Sequence, residues 1–248
     1  MIYNSKKKLS VLIKIICTYF MFITSVFSED HLSKQVINEL IYEYIMENPE
    51  VILESVEKFR KKIEKNSSLD ENYLNENFLK LANDPSIPYM GSDKPKVIII
   101  EFFDYNCSYC KKSMDAVTEL LRTEYDLKIS FRDYPILSPS SRVAAKAALA
   151  AGEQGKYFIF HSALMNAQGN LNDEKIYSLA RNLGIDIEKL KIDMKKENIN
   201  KIIKKNEILA KKLNIRGTPT FIINGKLYAG ALDLKKLRQI INKSLQEG

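Results

Sequence analysis

Over residues 31–65 the apolar side chains recur at helical spacing. Leu32, Val36, Leu40 and Tyr44 stand four residues apart with Ile37, Ile41 and Ile45 beside them, and Ile52, Val56, Phe59 and Ile63 follow at steps of four, three and four. Between the two stripes, Asn48-Pro49-Glu50 supplies a cap, a proline at a first helical position and an early acid, so the segment reads as two helices meeting at a proline. Lys58, Arg60, Lys61, Lys62, Glu64 and Lys65 occupy the other faces of the second helix. The stripes can pack on the rest of the chain or, because the spacing also fits a short heptad repeat, on copies of themselves. Asn66-Ser67-Ser68 reads as a break, followed by a short helical or mixed region around Leu74, Phe78, Leu79 and Leu81. Asp84-Pro85-Ser86-Ile87-Pro88 and Gly91-Ser92-Asp93-Lys94-Pro95 are turn-rich and lead into a compact domain.

From Lys96 the pattern is α/β. An apolar run predicts a buried strand over 96–103, an amphipathic segment a helix over 107–125, and alternating Leu127, Ile129 and Phe131 a second strand over 127–134. After a turn at 135–139 comes a largely helical block, about 138–213. Its helices are expected near Val143–Ala151, Lys156–Leu164, Asp173–Leu183 and Ile187–Leu213. Thr218–Ile223 reads as a strand, Asn224-Gly225 as a two-residue hairpin turn into Lys226–Ala229, and Leu234, Leu237, Ile240 and Ile241 as a closing helix. No internal repeat or low-complexity tract interrupts this order.

Charge changes the picture only at the amino terminus. The chain of 248 residues has a formal net charge of +7. Without the four lysines of residues 1–28, 34 basic residues face 31 acidic ones, a balance too mild to suggest nucleic acid. Lys6-Lys7-Lys8, an apolar run from Leu9 to Phe27, and small residues at Val26 and Ser28 read as a secretory signal over residues 1–28, with an uncleaved anchor as the alternative. Cleavage removes Cys17 and leaves Cys107 and Cys110 as the mature protein's pair, too few for a disulfide framework.

A strand, then Cys-x-x-Cys, then a helix is the arrangement that makes a cysteine reactive. Cys107 would sit at the helix start, where unpaired N–H groups favour a thiolate, with its pKa lowered toward the roughly 3.5–7 range of such motifs. Cys110, one turn further in and more buried, would resolve the mixed disulfide, and Ser108 and Tyr109 can tune the thiolate by hydrogen bonding and packing. Zinc would need two further ligands at matching spacing, and the two histidines, His31 and His161, do not supply it. Soft Cu(I) could be held by the thiol pair alone.

Glu101-Phe102-Phe103-Asp104-Tyr105-Asn106-Cys107-Ser108-Tyr109-Cys110-Lys111 resembles the active site of the DsbA-like branch of the thioredoxin superfamily. Arg216-Gly217-Thr218-Pro219-Thr220-Phe221-Ile222-Ile223-Asn224-Gly225-Lys226 resembles its cis-proline loop and following strand. The resemblance spans about residues 80–246. It implies a thioredoxin fold with an inserted helical domain, here preceded by an α-helical arm. It also implies that Pro219 is cis and lies against the cysteines, that the Thr218 backbone bonds a bound peptide, and that Glu101 is the buried acid that relays a proton; an ion-paired Glu101 near the sheet is the alternative. Tyr44-Ile45-Met46-Glu47-Asn48-Pro49-Glu50-Val51-Ile52-Leu53-Glu54 resembles the stalk of ScsC-like proteins, which assemble through it, in some cases as trimers. His161 falls in a segment resembling a helix of the inserted domain, where a structural role is expected.

The expected organisation is therefore a signal over 1–28, an oligomerisation arm over 29–65, a linker over 66–95 and a catalytic domain over 96–248. Two departures bear on function. Ser108-Tyr109 replaces the Pro-His of the family's strongest oxidases, and Thr218 resembles the residue that isomerases carry. The expectation is a periplasmic disulfide isomerase, a homo-oligomer through residues 31–65. It would act on misfolded cysteine-containing exported proteins, be kept reduced by a membrane thiol reductase, and need no cofactor beyond the Cys107–Cys110 disulfide. A DsbA-like oxidase served by a membrane oxidase, and a copper-binding protein using the same thiols, are the alternatives.

Overall fold

The computed structural model describes residues 33–122 and 126–247, with backbone alone over 59–71 and at 247. The expected signal at 1–28, Cys17, His31 and the side chains of Phe59 and Ile63 lie outside the described residues. The chain divides into two units, residues 1–61 and 62–248.

In the first unit, α1 (Lys34–Glu47) starts at Ser33, whose hydroxyl accepts the Val36 N–H, and stops at Asn48, whose N–H and side-chain amide both bond the Tyr44 carbonyl. Pro49 then precedes α2 (Glu50–Ala82), so two helices do meet at the proline. Val36, Leu40, Ile41, Tyr44, Ile52 and Val56 are all exposed, and no residue of α1 is buried. The expected break at Asn66-Ser67-Ser68 is absent, and much of the expected linker is helix, because α2 runs unbroken to Ala82. Asn and Ser disfavour a helix interior by only about 0.5 kcal/mol each, far less than the Gly or Pro that would stop it.

The second unit is built on a sheet ordered β1-β3-β2-β4-β5. Strand β2 (Val97–Phe103) pairs in parallel with β3 (Leu127–Asp133), placing Glu101 opposite Phe131 and Phe103 opposite Asp133. Strand β4 (Thr220–Ile223) pairs antiparallel with β2 and joins β5 (Lys226–Ala229) through Asn224-Gly225, whose φ values of 43° and 84° are those of the favoured hairpin turn. The short edge strand β1 (Tyr89–Gly91) lies within the stretch expected to be turns, where three residues give no readable alternation.

Every residue of β2 and β3 is buried, so both sheet faces carry core. Val97, Ile99, Phe103, Ile129 and Phe131 face α3 (Ser108–Arg122) and the inserted helices α4 (Pro139–Gly152), α5 (Tyr157–Asn166), α6 (Asp173–Asn182), α7 (Ile187–Asp193) and α8 (Glu197–Lys212). Ile98, Ile100 and Phe102 face Leu74 of α2 and Leu209 and Ala210 of α8. The expected single helix over 187–213 is two. It breaks at Met194–Lys196, where the Asp193 carboxylate gathers Lys189 at 2.5 Å and Lys196 at 2.8 Å. Helix α9 (Leu234–Glu247) closes the fold.

The polar residues of β3 on the α2 side have one shared use. Lys128 bonds Asn83 at 3.0 Å, Ser130 the Ala82 carbonyl at 3.3 Å, and Arg132 the Leu81 carbonyl at 2.7 Å. Ser130 and Arg132 thus satisfy two carbonyls at the end of α2 that the helix cannot satisfy itself, and Lys128 holds the Asn83 side chain just beyond it. Arg132 is fully buried and also donates to Asn206 Oδ1 at 2.8 Å and faces Asp84 at 3.5 Å. Replacement by methionine would fill the space but strand the buried Leu81 carbonyl and Asn206 Oδ1, while Asp84 keeps Lys205 at 2.6 Å. Arg132→Met is expected to lower stability by about 3 kcal/mol in a denaturant titration.

Candidate active site

The site begins where β2 ends. The Asp104 carboxylate, buried, accepts the Asn106 N–H at 2.8 Å, which turns the chain out of the strand. Its other oxygen accepts the N–H groups of Ile136 and Leu137 at 2.9 and 3.0 Å. Asn106 completes the junction. Its amide nitrogen lies 3.0–3.2 Å from the hydroxyls of Ser138, Ser140 and Ser141, and its oxygen accepts the Leu171 N–H at 2.7 Å. Neither residue was singled out from sequence. The signal was present, since Asp and Asn between a strand and a helix commonly bond nearby backbone N–H groups.

Cys107 occupies the position before α3, and its sulfur accepts the Cys110 N–H at 3.4 Å, as a helix-capping side chain would. The same sulfur donates to the Thr218 carbonyl at 3.2 Å, across a separation of 111 residues. The Thr218–Pro219 bond is cis, as the resemblance implies. Cys107 is less open than expected, at 5% exposure, because the Thr218 carbonyl lies against it; Cys110 is 0% exposed. Both are free thiols here. Ser108 and Tyr109 face solvent, and among the described residues neither side chain hydrogen-bonds a sulfur. The Tyr109 ring instead carries the Lys112 ammonium at 5.5 Å. Lys111 anchors the helix start to the insertion through the Ala167 and Gly169 carbonyls at 2.5 and 2.9 Å.

Below the thiols, Glu101 points from β2 into the core face with an unpartnered carboxyl oxygen, and burial pushes its pKa up to about 8. Among the described residues no cation reaches that oxygen, which tells against the ion-paired alternative. Burial also drives the Cys110 thiol well above its ordinary value; the nearby charges of Glu101 and Cys107 add to this, and the Asp104 backbone and the Thr218 hydroxyl oppose it. Cys110 therefore holds its proton at neutral pH, near a carboxyl that is itself mostly protonated there and can take the proton only once ionised. His161 is buried and held neutral, its pKa pushed down to about 3 by burial, and it shares a 2.9 Å hydrogen bond with the Tyr105 hydroxyl. It packs edge-on to Phe103 with centroids 5.0 Å apart, consistent with a structural role. Among the described residues no three His, Cys, Asp or Glu side chains converge as a metal site.

Because Glu101 ionises more readily unfolded, near 4.5, than folded, near 8, burying it neutral stabilises the protein fully below pH 4.5, and that contribution is lost as pH rises through 8. Glu101→Gln should match the parent near pH 4.5 and exceed it by on the order of 4 kcal/mol by pH 8, read from denaturant midpoints across pH.

Known proteins share this architecture. The DSBA-like thioredoxin domain model matches residues 98–242, and that of the copper resistance protein ScsC N-terminal domain matches residues 34–65. A thioredoxin-like oxidoreductase from Silicibacter pomeroyi is 37% identical, with a TM-score of 0.65 over 67% of this chain and 96% of that one. The thiol-disulfide exchange protein alpha-DsbA2 from Wolbachia pipientis is 32% identical, with a TM-score of 0.65 over 71% of this chain and 96% of that one. Disulfide bond formation protein D of Bacillus subtilis is 28% identical, over 67% of this chain and 82% of its own length. The chain also matches Na(+)/H(+) antiporters, among them NhaA 1 of Salinispora arenicola at 28% identity, but spans only 24% of that protein's length. With the cysteine pair, the cis-proline loop and the inserted helices all in place, the chain belongs to the DSBA-like thioredoxin domain family and carries a ScsC-type N-terminal domain ahead of it.

Proposed function

We propose that the protein is a thiol–disulfide oxidoreductase working in the periplasm as a disulfide isomerase. The observation that carries this is the Cys107 sulfur held between the start of α3 and the Thr218 carbonyl, with Cys110 and the Glu101 carboxyl behind it. The Cys107 thiolate attacks a client disulfide, forming a Cys107–client S–S bond and releasing the other client sulfur as thiolate. That thiolate, or another in the client, can re-attack and leave a rearranged disulfide. If the client stalls, Cys110 gives its proton to the Glu101 carboxylate and attacks Cys107, and the client leaves reduced. Once the Cys107 proton is gone, the Thr218 carbonyl is free to accept a backbone N–H of the client.

Three features favour isomerisation over net oxidation. Thr218 stands where oxidases often have an apolar residue, no imidazole stabilises the Cys107 thiolate from between the cysteines, and the arm carries exposed Leu40, Ile41 and Ile52 on helices matched by the ScsC N-terminal domain. Apolar side chains repeated along helices and left bare in one chain suit assembly with copies of the same chain, a homotrimer being one such arrangement. The assembly would bring several Cys107 sites to one misfolded client. Its clients are cysteine-containing exported proteins, and a membrane thiol reductase keeps the pair reduced. A second reading, a dithiol oxidase, draws on the Bacillus relative's name, and a copper-binding role draws on that of the matched ScsC domain.

The test is recovery of scrambled ribonuclease activity by the reduced protein and by a Leu40→Glu variant, whose site is 53% exposed and whose monomer should therefore fold unchanged. The parent should restore activity. The variant should be monomeric by light scattering and lose most isomerisation while still exchanging with a small dithiol peptide. Rapid oxidation of reduced ribonuclease without any unscrambling would refute isomerisation and leave the oxidase reading. Tight Cu(I) binding with negligible exchange would instead favour the copper role.

A further inference from the structure

The core face behind the cysteines holds more ionisable groups than the exchange described above uses. Asp133, the last residue of β3, projects to the same face as Glu101, since Leu127, Ile129, Phe131 and Asp133 alternate inward and Phe131 sits opposite Glu101. It is 1% exposed, and both its carboxyl oxygens lack a partner among the described residues. A lone buried carboxyl disfavours folding by several kcal/mol as an anion and still wastes hydrogen bonds when neutral, so its presence in a core calls for a reason.

Two buried phenols lie within electrostatic reach of both acids. The charges of Asp133 and Glu101 both reach Tyr105 on the loop and Tyr157 on α5, and the two hydroxyls lie beside each other without a hydrogen bond of good geometry. Tyr105 is held by His161 Nδ1 at 2.9 Å, and the Tyr157 ring stacks on that imidazole with centroids 5.7 Å apart. Beyond the phenols, the charge that reaches Asp133 is that of Asp104, itself tied to three backbone N–H groups. Burial holds Asp133 well above the ordinary carboxylate range, so it keeps its proton. Of Cys110, Glu101, Tyr105, His161, Asp133 and Tyr157, Tyr157 alone also lines a cleft of about 710 Å³, with Pro88, Glu153, Phe158, Lys201 and Lys205. Cys107, Tyr109, Thr218 and Pro219 do not line it.

We propose that Asp133, joined to Glu101 through the hydroxyls of Tyr105 and Tyr157, is a second proton-holding carboxyl that serves Cys110 while a protein client covers the Cys107 face, with exchange to water on the Tyr157 side. The inference rests on the thiol–disulfide exchange proposed above and applies in either direction. When a client thiolate attacks Cys107 of the disulfide, the client–Cys107 S–S bond forms, the Cys107–Cys110 bond breaks, and Cys110 leaves with the electron pair. Cys110 takes the Glu101 proton. A phenol hydroxyl gives its proton to Glu101 and receives that of Asp133, which recovers one from water by way of Tyr157. When the disulfide forms, the same proton runs back. Asp133 and the tyrosines are positioning residues, since Glu101 is the acid beside the thiol.

The test compares single-turnover reduction of the oxidised full-length protein by two thiols of different size. Glutathione leaves water access to the site, and reduced, unfolded ribonuclease covers it. Tyr157→Phe, which removes only a hydroxyl, should lower the ribonuclease-to-glutathione rate ratio by about tenfold, less than the roughly 100-fold or more of losing the acid beside the reacting atom. Asp133→Asn should lower it similarly and reduce the solvent deuterium isotope effect on the ribonuclease reaction. An unchanged ratio in Tyr157→Phe, or an equal fall in both rates, overturns the proposal, and this variant decides alone if Asp133→Asn does not fold. The parent's own rates test the underlying reading separately, because a parent inert to both thiols overturns the oxidoreductase assignment before any variant is compared.

Discussion

The site depends on one carboxylate that performs no chemistry in the exchange. Asp104 sits where β2 runs out of sheet, and its three N–H bonds turn the chain towards Cys107 while holding residues 136–137 of the next crossover against the same turn. Bonds to a charged acceptor are among the stronger ones available, and here they are buried, where geometry is least forgiving. Asn106 extends the grip to α4 and to Leu171 of the insertion. The start of α3 is therefore set by the thioredoxin sheet and the inserted helices at once, and the Cys107 sulfur follows the start of α3.

Strand β3 shows how one element can serve stability on one face and reactivity on the other. Alternation sends Lys128, Ser130 and Arg132 towards the end of α2, where each finds a carbonyl or amide oxygen. It sends Phe131 and Asp133 towards the cysteine side, where Asp133 finds none. The polar groups on the first face are paired except for Arg132 Nε, and they hold the fold. Those on the second face, with Glu101, lack partners among the described residues and are buried, where pKa values move furthest. Acids left unpaired behind a thiol pair cost stability, and the proton traffic proposed above would be the use that offsets it.

The chemistry was legible in the sequence because it rests on local signals. A buried run, Cys-x-x-Cys and an amphipathic stripe follow one another within about thirty residues, and Asn224-Gly225 announced its hairpin. The misreadings share a cause. Asn66-Ser67-Ser68 looked like a break because polar residues often mark loops, yet α2 continues through it. Residues 187–213 looked like one helix because apolar spacing does not register Asp193 drawing in Lys189 and Lys196. Strand β1 is three residues long and takes its identity from pairing with β3.

Most of the order of strands and helices, the apolar stripes of the arm and the reactive pair were written in residue type and spacing, because periodicity and helix-end chemistry act over a few neighbours. What only the tertiary structure decided lies between distant segments: the Thr218 carbonyl on Cys107 across 111 residues, the burial of Glu101 with an oxygen unpartnered among the described residues, and the gathering of Asp133, Tyr105, Tyr157 and His161 behind the thiols. Burial and the identity of a neighbour depend on how strands and helices stack, and no local pattern encodes which acid will be left without a partner.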